Sequence, residues 1–189
     1  MKNEIEKLIR DSVAVKGKML LENVSGIEEL ASRIISAYKN KKKVVVFGNG
    51  GSAADAQHLA TELVCRFEKD RRSLEAVALT TNTSMITATG NDYGFEYIFS
   101  RQVESTVKEG DVVIGISTSG NSVNVLKGIE QAKKQKAVSA GWTGNTGGKL
   151  KNIVDLCICI PSDNTARIQE GHILLIHIIC RLVEKELFG

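Results

Sequence analysis

Val112-Val113-Ile114-Gly115-Ile116, followed by Ser117-Thr118-Ser119-Gly120-Asn121-Ser122, is the stretch of sequence that decides the fold. The first five residues form a short apolar run, mostly β-branched, which is typical of a buried parallel strand. After the polar turn, apolar residues recur at helical spacing from Val123 to Lys136. The turn therefore lies between the carboxyl end of a strand and the start of a helix.

The composition of this turn predicts an anion-binding site. Four hydroxyl side chains, those of Ser117, Thr118, Ser119 and Ser122, would surround unpaired backbone N–H groups at a helix N-terminus. Both the free amides and the helix dipole favour negative charge. A plain helix cap would need only one serine or asparagine and would leave the other hydroxyls unexplained. We therefore predict that a phosphate group binds at this turn.

The same strand–turn–helix pattern recurs along the chain. Predicted helices cover Lys2–Glu22 and Ile27–Lys39, separated by Ser25-Gly26, and then Ala53–Phe67, a segment ending at Val107, and a last helix from N-cap candidates at 162–165 to Leu187. Further predicted strands are Val44–Phe47, Ala76–Leu79, Ala137–Trp142 and Val154–Ile160, and residues 90–95 are predicted to form a loop. Alternating strands and helices indicate an α/β fold, with a five-stranded parallel sheet between helical layers in a flavodoxin- or Rossmann-like three-layer sandwich.

Length and composition favour one domain spanning residues 1–189. The chain is 42% apolar, which is enough for one full core, and its net charge of +3 is the balance of 25 basic and 22 acidic residues. The basic cluster Lys39–Lys43 is interpreted as a solvated helix end, so no nucleic-acid partner is expected. The N-terminus has no secretory pattern and no apolar stretch reaches membrane-spanning length, so we expect a cytoplasmic protein without a membrane partner.

The four cysteines, Cys65, Cys157, Cys159 and Cys180, lie inside apolar segments. Cys157 and Cys159 alternate with aliphatic residues, so they should point to one face of a strand as small core residues. No C-x-x-C pair occurs, and neither a disulfide framework nor a cysteine zinc site is predicted.

The turn after the first strand, Gly48-Asn49-Gly50-Gly51-Ser52-Ala53, matches a dinucleotide-binding fingerprint. Such a site also needs an acidic residue at the end of the second strand to hold a ribose hydroxyl, and Thr80-Thr81-Asn82 stands there instead. The glycines are better explained by close approach of the backbone to a polyhydroxylated ligand, with Asn49 and Ser52 as hydrogen-bonding groups.

Titratable side chains on two helices are candidates for acid–base chemistry. His58 and Glu62 are spaced i, i+4 on one helix face near the predicted cleft, although such a pair can also be a plain surface contact. His172 and His177 lie on the last helix, near Gln169. A buried histidine is usually a core residue with one hydrogen bond, yet a general acid is also tuned by burial, and spacing does not choose between these two.

The last helix also predicts self-association. Apolar residues occupy every face from Ile173 to Leu182, interrupted only by His177 and Arg181, and a helix that is apolar all round is buried all round. One small domain cannot easily cover such a helix, so we expect a homo-oligomer in which it packs against its copy. The N-terminal helical segment, about residues 1–40, is the natural second contact.

Four motifs together carry a resemblance to a known family. They are Gly48-Asn49-Gly50-Gly51-Ser52-Ala53-Ala54-Asp55, Asn91-Asp92-Tyr93-Gly94-Phe95, the Ser117–Ser122 turn, and Ala166-Arg167-Ile168-Gln169-Glu170. In this order they resemble the sugar isomerase (SIS) domain family and, within it, the phosphoheptose isomerase group. Trp142, where a small aliphatic residue is expected, is a mild departure.

The resemblance implies conversion of D-sedoheptulose 7-phosphate to D-glycero-D-manno-heptose 7-phosphate through an enediol. This reaction is the first step towards nucleotide-activated heptose for lipopolysaccharide or other surface glycans. It implies Glu62 as the base and His177 as the acid. The implied phosphate contacts are Ser117, Thr118, Ser119 and Ser122, and the implied sugar contacts are Asn49, Gly50, Gly51, Ser52, Glu62, Asn91, Asp92 and Gln169.

The resemblance also implies a cofactor and an assembly. One zinc ion per subunit would be held by His58, Glu62, Gln169 and His177, although glutamine is an unusual zinc ligand. The implied assembly is a homotetramer with its sites near subunit boundaries. Two alternatives remain open: a non-catalytic adaptor of the same fold that binds a protein partner such as a replication initiator, and an isomerase of another phosphosugar.

Overall fold

The computed structural model describes all residues from 1 to 189 and contains seven α-helices and five β-strands. In chain order they are α1 Lys2–Glu22, α2 Val24–Lys39, β1 Val44–Gly48, α3 Gly51–Val64, β2 Ala76–Ala78, α4 Thr83–Asp92, α5 Ile98–Thr106, β3 Val112–Ile116, α6 Val123–Lys134, β4 Val138–Gly144, β5 Leu156–Ile160 and α7 Thr165–Phe188. Short 3₁₀ turns cover Phe95–Tyr97 and Leu150–Asn152.

The five strands form one parallel sheet in the order β2-β1-β3-β4-β5, with helices on both faces. The predicted α/β fold is therefore confirmed. Successive residues of a strand point to opposite faces, so Val44 and Val46 of β1 pack into a core of 27 buried residues, which includes residues of α2, α3 and α7. Val45 and Phe47 pack into the second core of 13, which includes residues of α5 and α6.

Several predicted boundaries are wrong, and one helix is missing from the prediction. The break between the first two helices falls at Asn23, while Ser25 and Gly26 lie inside α2. A Cβ at Gly26 would make only an ordinary 3.7 Å contact with Ile158 of β5, so this glycine continues the helix rather than breaking it. Helix α3 starts at Gly51 rather than Ala53. Helix α4 was not predicted at all, because none of its residues is buried and it carries no apolar stripe.

The two neighbouring cysteines of β5 also differ from expectation. Cys157 and Cys159 do share one face, with their Sγ atoms 3.7 Å apart, but both are half-buried beside a surface cavity and do not belong to either core. Cys65, at the end of α3, is exposed. None of the helices combines the length and the apolar character that crossing a membrane requires.

Candidate active site

The site begins at the two strands where the chain changes direction across the sheet. From β1 the chain continues to β2 on one side and then returns to β3 on the other, which is where ligands bind in open α/β sheets. Gly48 and Ile116, the last residues of β1 and β3, are paired in register. The glycine turn after β1 and the serine turn after β3 therefore leave the sheet side by side.

The two turns are joined by a pair of amide side chains. Asn49 follows β1, and Asn124 lies in the first turn of α6. Each side-chain amide donates to the carbonyl oxygen of the other at 2.9 Å. Asn124 is buried, so this pair fixes the glycine turn against the helix that follows the serine turn.

The serine turn is preorganised by its own hydroxyl groups. Ser117 Oγ lies 3.0 Å from Ser122 Oγ and 3.5 Å from Ser119 Oγ, and it accepts a bond from the Ser122 backbone N–H at 3.4 Å. Ser122 is the N-cap residue of α6, yet its side chain accepts no bond from the first helical turn. The first amides of α6 are thus left for a ligand, as the sequence pattern predicts for an anion site.

The end of β4 and the segment that follows it hold the serine turn in place through backbone hydrogen bonds. The Thr118 carbonyl accepts a bond from Gly144 N–H at 2.9 Å, and the Gly120 carbonyl accepts one from Leu150 N–H at 2.9 Å. Gly120 has φ +66°, and a Cβ there would lie 2.9 Å from Gly148 N and still closer to the carbonyl group of Gly147. Only glycine fits this position, because both the backbone conformation and the space exclude a side chain.

Gln169, in the second turn of α7, lies directly over Gly51 at the start of α3. A Cβ added at Gly51 would be 2.8 Å from Gln169 Cδ and closer still to the amide nitrogen. Gly51 therefore provides the space that the glutamine amide occupies. Asn164 caps α7 by accepting bonds from Ala166 N–H at 2.9 Å and Arg167 N–H at 3.3 Å, which fixes where this helix starts.

Further along α3 and α7, three titratable side chains come together. His58 Nε2 and Glu62 Oε1 are 3.1 Å apart on one face of α3, and these side chains remain 35% and 23% exposed. The His177 ring meets the His58 ring edge to face, with centroids 5.3 Å apart. The Phe67 ring stacks on the His177 ring, with centroids 5.6 Å apart. A carboxylate and two imidazoles thus meet in a partly solvated position.

A buried ion pair holds the segment that carries Glu62 and Phe67. Arg71 donates to the backbone carbonyls of Glu62 and Leu63 at 2.8 and 2.7 Å, which satisfies the end of α3. Its Nε donates to Glu184 Oε1 of α7 at 2.9 Å. Glu184 also accepts bonds from the backbone N–H groups of Phe67, Glu68 and Lys69 at 2.8 to 3.0 Å.

Burial alone would raise the pKa of Glu184, but the backbone amides and the Arg71 guanidinium together hold this pKa below its usual value. The carboxylate is therefore charged at neutral pH and fully bonded. This network fixes the loop after α3 to α7, so Phe67 is held against His177 and the end of α3 cannot fray.

The two histidines of α7 occupy different environments. His172 is fully buried, and its Nε2 lies 3.2 Å from the carbonyl of Thr143, to which it can donate. Burial lowers the pKa of His172 to about 4 and raises the pKa of nearby Asp55 to about 6, the latter despite the opposing effect of His58. Asp55 Oδ2 is 3.9 Å from His172 Nδ1. His172 and the equally buried Trp142, 6.0 Å from it ring to ring, belong to the interior.

Asn91 and Asp92, two of the predicted site residues, do not contact the other predicted site residues in this chain. They lie in the last turn of α4 rather than in a loop, and both are exposed. Asn91 Nδ2 donates to Asp92 Oδ1 at 2.8 Å, the one side-chain hydrogen bond that either residue makes. No contact in this chain links them to His58, Glu62 or His177.

The predicted zinc ligands match zinc in chemistry but are not converged in this conformation. Two imidazoles and a carboxylate are ordinary zinc ligands. However, His58 and Glu62 are bonded to each other, and no group of three or more His, Cys, Asp or Glu side chains has a geometry that would hold a metal ion. Metal binding at His58, Glu62, Gln169 and His177 would replace the hydrogen bond between His58 and Glu62.

Sequence reasoning missed the residues that support the site. Arg71 and Glu184 are 113 residues apart, and no periodicity or motif joins them. Phe67 was assigned to the end of a helix, which hid its contact with His177. Asn124 could have been noticed from the sequence, because it is a polar residue at a position that the helical spacing places on the buried face of α6.

Comparisons with known proteins identify the family and the fold. The SIS domain family model matches residues 9–144. A phosphoheptose isomerase from Trichlorobacter lovleyi is 52% identical over 189 residues, covering all of this chain and 96% of that protein. The structure of a phosphoheptose isomerase from Neisseria gonorrhoeae superposes with a TM-score of 0.93 at 40% identity, covering 97% of this chain and 98% of that one. A phosphoheptose isomerase from Francisella tularensis gives a TM-score of 0.94 at 36% identity, with 97% of both chains covered.

Proposed function

The chain belongs to the SIS domain family and, within it, to the phosphoheptose isomerases, and from this membership we propose that it converts D-sedoheptulose 7-phosphate to D-glycero-D-manno-heptose 7-phosphate. The reaction moves a carbonyl group between the second and first carbons of the sugar through an enediol. It requires a base that removes a proton from carbon, a group that transfers protons at the two oxygens, and a site that binds the distant phosphate.

One observation carries this proposal: the glycine turn after β1 touches both halves of the site. On one side Asn49 is bonded to Asn124, next to the serine turn. On the other side Gly51 lies under Gln169, on the helix that also carries His177. The serine turn and the group of titratable side chains therefore lie on either side of one turn. A phosphorylated sugar, whose carbonyl lies at the opposite end from its phosphate, requires this arrangement.

Glu62 is the proposed base and His177 the proposed acid. The Glu62 carboxylate removes a proton from carbon 1 while His177 donates a proton to the carbonyl oxygen on carbon 2, which gives the enediol. His177 then takes the proton from the oxygen on carbon 1, and protonated Glu62 returns a proton to carbon 2. The partly exposed position of Glu62 supports this role, because the carboxylate can be reached by a substrate.

The serine turn is the proposed phosphate site. The Ser117 hydroxyl lies 3.0 Å from that of Ser122 and 3.5 Å from that of Ser119, next to the start of α6, whose N-cap side chain accepts no bond from the helix. Each of these groups can donate to a phosphate oxygen, and the helix dipole adds to the attraction. Gln169 is a proposed sugar contact, positioned by the space at Gly51.

Zinc is the proposed cofactor, with His58, Glu62, Gln169 and His177 as its ligands. When bound, zinc would polarise the carbonyl oxygen as a Lewis acid. Binding would replace the present hydrogen bond between His58 and Glu62. Zinc titration of the protein, with a His58→Ala variant as comparison, tests this ligand set without reference to turnover.

A homotetramer is the proposed assembly. Helix α1 carries an apolar stripe that nothing in the chain covers, formed by Ile5, Leu8, Ile9, Val13 and Leu20, all between 45% and 71% exposed. Such a stripe indicates an interface. Sedimentation or light scattering measures the assembly, and Leu8→Glu with Ile9→Glu should reduce it to smaller species. The proposed product would feed nucleotide-activated heptose for surface glycans.

Proton NMR of the protein with sedoheptulose 7-phosphate tests the proposed reaction. We expect the anomeric signal of an aldose to grow as the ketose is consumed, and a shorter ketose phosphate of six carbons to react more slowly. Equal or faster turnover of the shorter sugar would point to another phosphosugar. A folded protein that converts neither compound would contradict the proposal and favour a binding role.

Changing Ser119 and Ser122 together to alanine tests the phosphate site. The Michaelis constant should rise while the fold is kept, because each lost charge-assisted hydrogen bond weakens binding by about 1.5 to 3 kcal/mol. Ser84→Ala, at an exposed position of α4, is the matched control. An unchanged Michaelis constant in the double variant would place the phosphate elsewhere.

A further inference from the structure

The pair of cysteines on β5 has no part in the proposed isomerisation, and its surroundings are those of a reactive thiol. Strand β5 is the edge of the sheet, next to β4. Thr143 of β4 is in register with Cys159, and Gly141 is in register with Cys157. The register places the Thr143 hydroxyl near both sulfurs, 3.2 Å from Cys159 Sγ and 3.8 Å from Cys157 Sγ.

Three groups around Cys159 favour its thiolate form. Thr143 Oγ1 donates to Cys159 Sγ at 3.2 Å, and the Cys157 thiol lies 3.7 Å away on the same face. Lys151 approaches from a third side, since a Cβ on Gly147 would touch both Lys151 Cδ at 2.9 Å and Cys159 Sγ at 3.0 Å. Hydrogen-bond donors and a nearby ammonium group both stabilise a negative sulfur.

Cys159 is also accessible to small molecules. Both cysteines line a surface cavity of about 490 Å³. The other charged groups on this cavity are Lys18 and Glu22 from α1 and Asp163 from the loop before α7, so its charges are mixed. A small neutral oxidant can enter without electrostatic repulsion, and two thiols meet it there side by side.

We propose that Cys159 is a peroxide-sensitive nucleophile and that Cys157 is its resolving thiol, so that the pair forms a reversible oxidation site on β5. A nearby resolving thiol and an accessible thiolate are the features of redox-sensitive cysteines. The hydrogen bond from Cys157, with further contributions from Thr143 and Lys151, lowers the pKa of Cys159 below its usual value. A lowered pKa raises the fraction of the reactive thiolate.

The chemistry balances with a hydroperoxide as the oxidant. The Cys159 thiolate attacks one peroxide oxygen, the S–O bond forms as the O–O bond breaks, and the released oxygen takes a proton to become water or an alcohol. The sulfur is then a sulfenic acid. The Cys157 thiol attacks it, an S–S bond forms, and the hydroxyl leaves as water with the Cys157 proton.

The strand sets how easily this disulfide is reversed. Residues two apart on a strand are roughly 6.6 Å apart at Cα, near the upper end of the roughly 4.4 to 6.8 Å that disulfides span. The closed bond would be strained, and strained disulfides are the readily reduced ones. We therefore expect a mild thiol reductant to restore both cysteines fully.

Alkylation by iodoacetamide as a function of pH tests the thiolate, with Cys65 as the internal control because it is the more exposed cysteine. We expect the alkylation rate at Cys159 to level off with a midpoint at lower pH than the rate at Cys65. Thr143→Val should move the Cys159 midpoint upward. A Cys159 midpoint equal to or above that of Cys65 would overturn the proposal.

Peroxide treatment followed by peptide mass spectrometry tests the second step. Trypsin releases residues 152–167 as one peptide that carries only these two cysteines. We expect this peptide to lose two hydrogen atoms on oxidation and to regain them on reduction. Cys157→Ser should instead trap a sulfenic acid that dimedone captures, and Cys159→Ser should stay unoxidised. Oxidation of the Cys159→Ser peptide at the wild-type rate would contradict the assignment of the nucleophile.

Discussion

Replacing Gly51 with alanine perturbs the proposed site by a single methyl group. The new Cβ would lie 2.8 Å from Gln169 Cδ, whereas ordinary contacts of a Cβ begin at 3.4 Å. The carboxamide carbon must therefore retreat by at least 0.6 Å, the difference between these distances. The amide nitrogen lies nearer, so the group as a whole moves by about 1 Å, and a misplacement of about 1 Å costs roughly 100-fold in rate.

The same change should leave the fold stable. The methyl meets the end of a flexible side chain rather than backbone, so the glutamine yields before the helix does. Alanine is also favoured over glycine in a helix by about 1 kcal/mol. We therefore expect kcat to fall about 100-fold, or about 2.7 kcal/mol in barrier height, while the free energy of unfolding stays within about 1 kcal/mol of wild type.

Steady-state kinetics with sedoheptulose 7-phosphate and urea denaturation measure the two quantities. Gly26→Ala is the matched control, since that glycine also lies in a helix and its Cβ would make only an ordinary 3.7 Å contact. A double-mutant cycle with Gln169→Ala isolates the cause. If Gly51 acts through Gln169, adding Gly51→Ala to Gln169→Ala lowers kcat no further. Full activity in a folded Gly51→Ala protein, or additive losses in the cycle, would refute the reasoning.

Three other changes test the surroundings of the site. Arg71→Met leaves the buried Glu184 carboxylate without its cation and should lower the free energy of unfolding by roughly 3 kcal/mol, measured in urea. Asn124→Ala removes both bonds to Asn49 and should lower kcat/KM about fivefold, or about 1 kcal/mol. His172→Gln removes an imidazole whose pKa is lowered by burial from 6.5 to about 4. The stability that neutral His172 contributes above pH 6.5 is lost as the pH falls towards 4, because the unfolded chain binds the proton more readily. The melting temperature of the variant should therefore fall less on acidification than that of the wild type.

Each of these has its own control or contrary result. Lys39→Met breaks the exposed Lys39–Glu186 pair and should change the free energy of unfolding by less than about 1 kcal/mol, so an equal loss at Arg71 and Lys39 would contradict the buried network. Unaltered kcat/KM in Asn124→Ala would remove the amide pair as a positioning device. Melting temperatures of His172→Gln and wild type that fall in parallel with pH would exclude His172 as a source of the acid sensitivity.

Sequence reasoning found the parts of the fold that are buried on regular patterns. The bounds of β3 were predicted as observed, because a strand covered on both faces reads as an unbroken apolar run. Helix α4 gives no periodic signal in the sequence, because none of its residues is fully buried and its Ile86 packs only partly against the second core. Ser25-Gly26 reads as a helix break in the sequence, because glycine is a common helix terminator, although both residues lie inside α2.

For the site, local motifs located the turns but not the contacts between them. The serine turn and the i, i+4 pair of His58 and Glu62 can be read from spacing alone. The meeting of His58 with His177 depends on how α7 packs on α3, over 119 residues of chain. Likewise the alternation at Cys157 and Cys159 predicts a shared face, but not that this face opens on a cavity.

The role of Glu62 is the centre of the proposed mechanism, and exchange with deuterated water tests it most directly. Wild-type protein should place deuterium on the sugar carbon beside the carbonyl. Glu62→Gln should slow this exchange by at least about 100-fold while the melting temperature and phosphate binding are kept, because general acid–base groups contribute factors of that order or more. Glu130→Gln, at an exposed glutamate of α6, should exchange like wild type. Exchange at the wild-type rate in folded Glu62→Gln protein would contradict the assignment of the base.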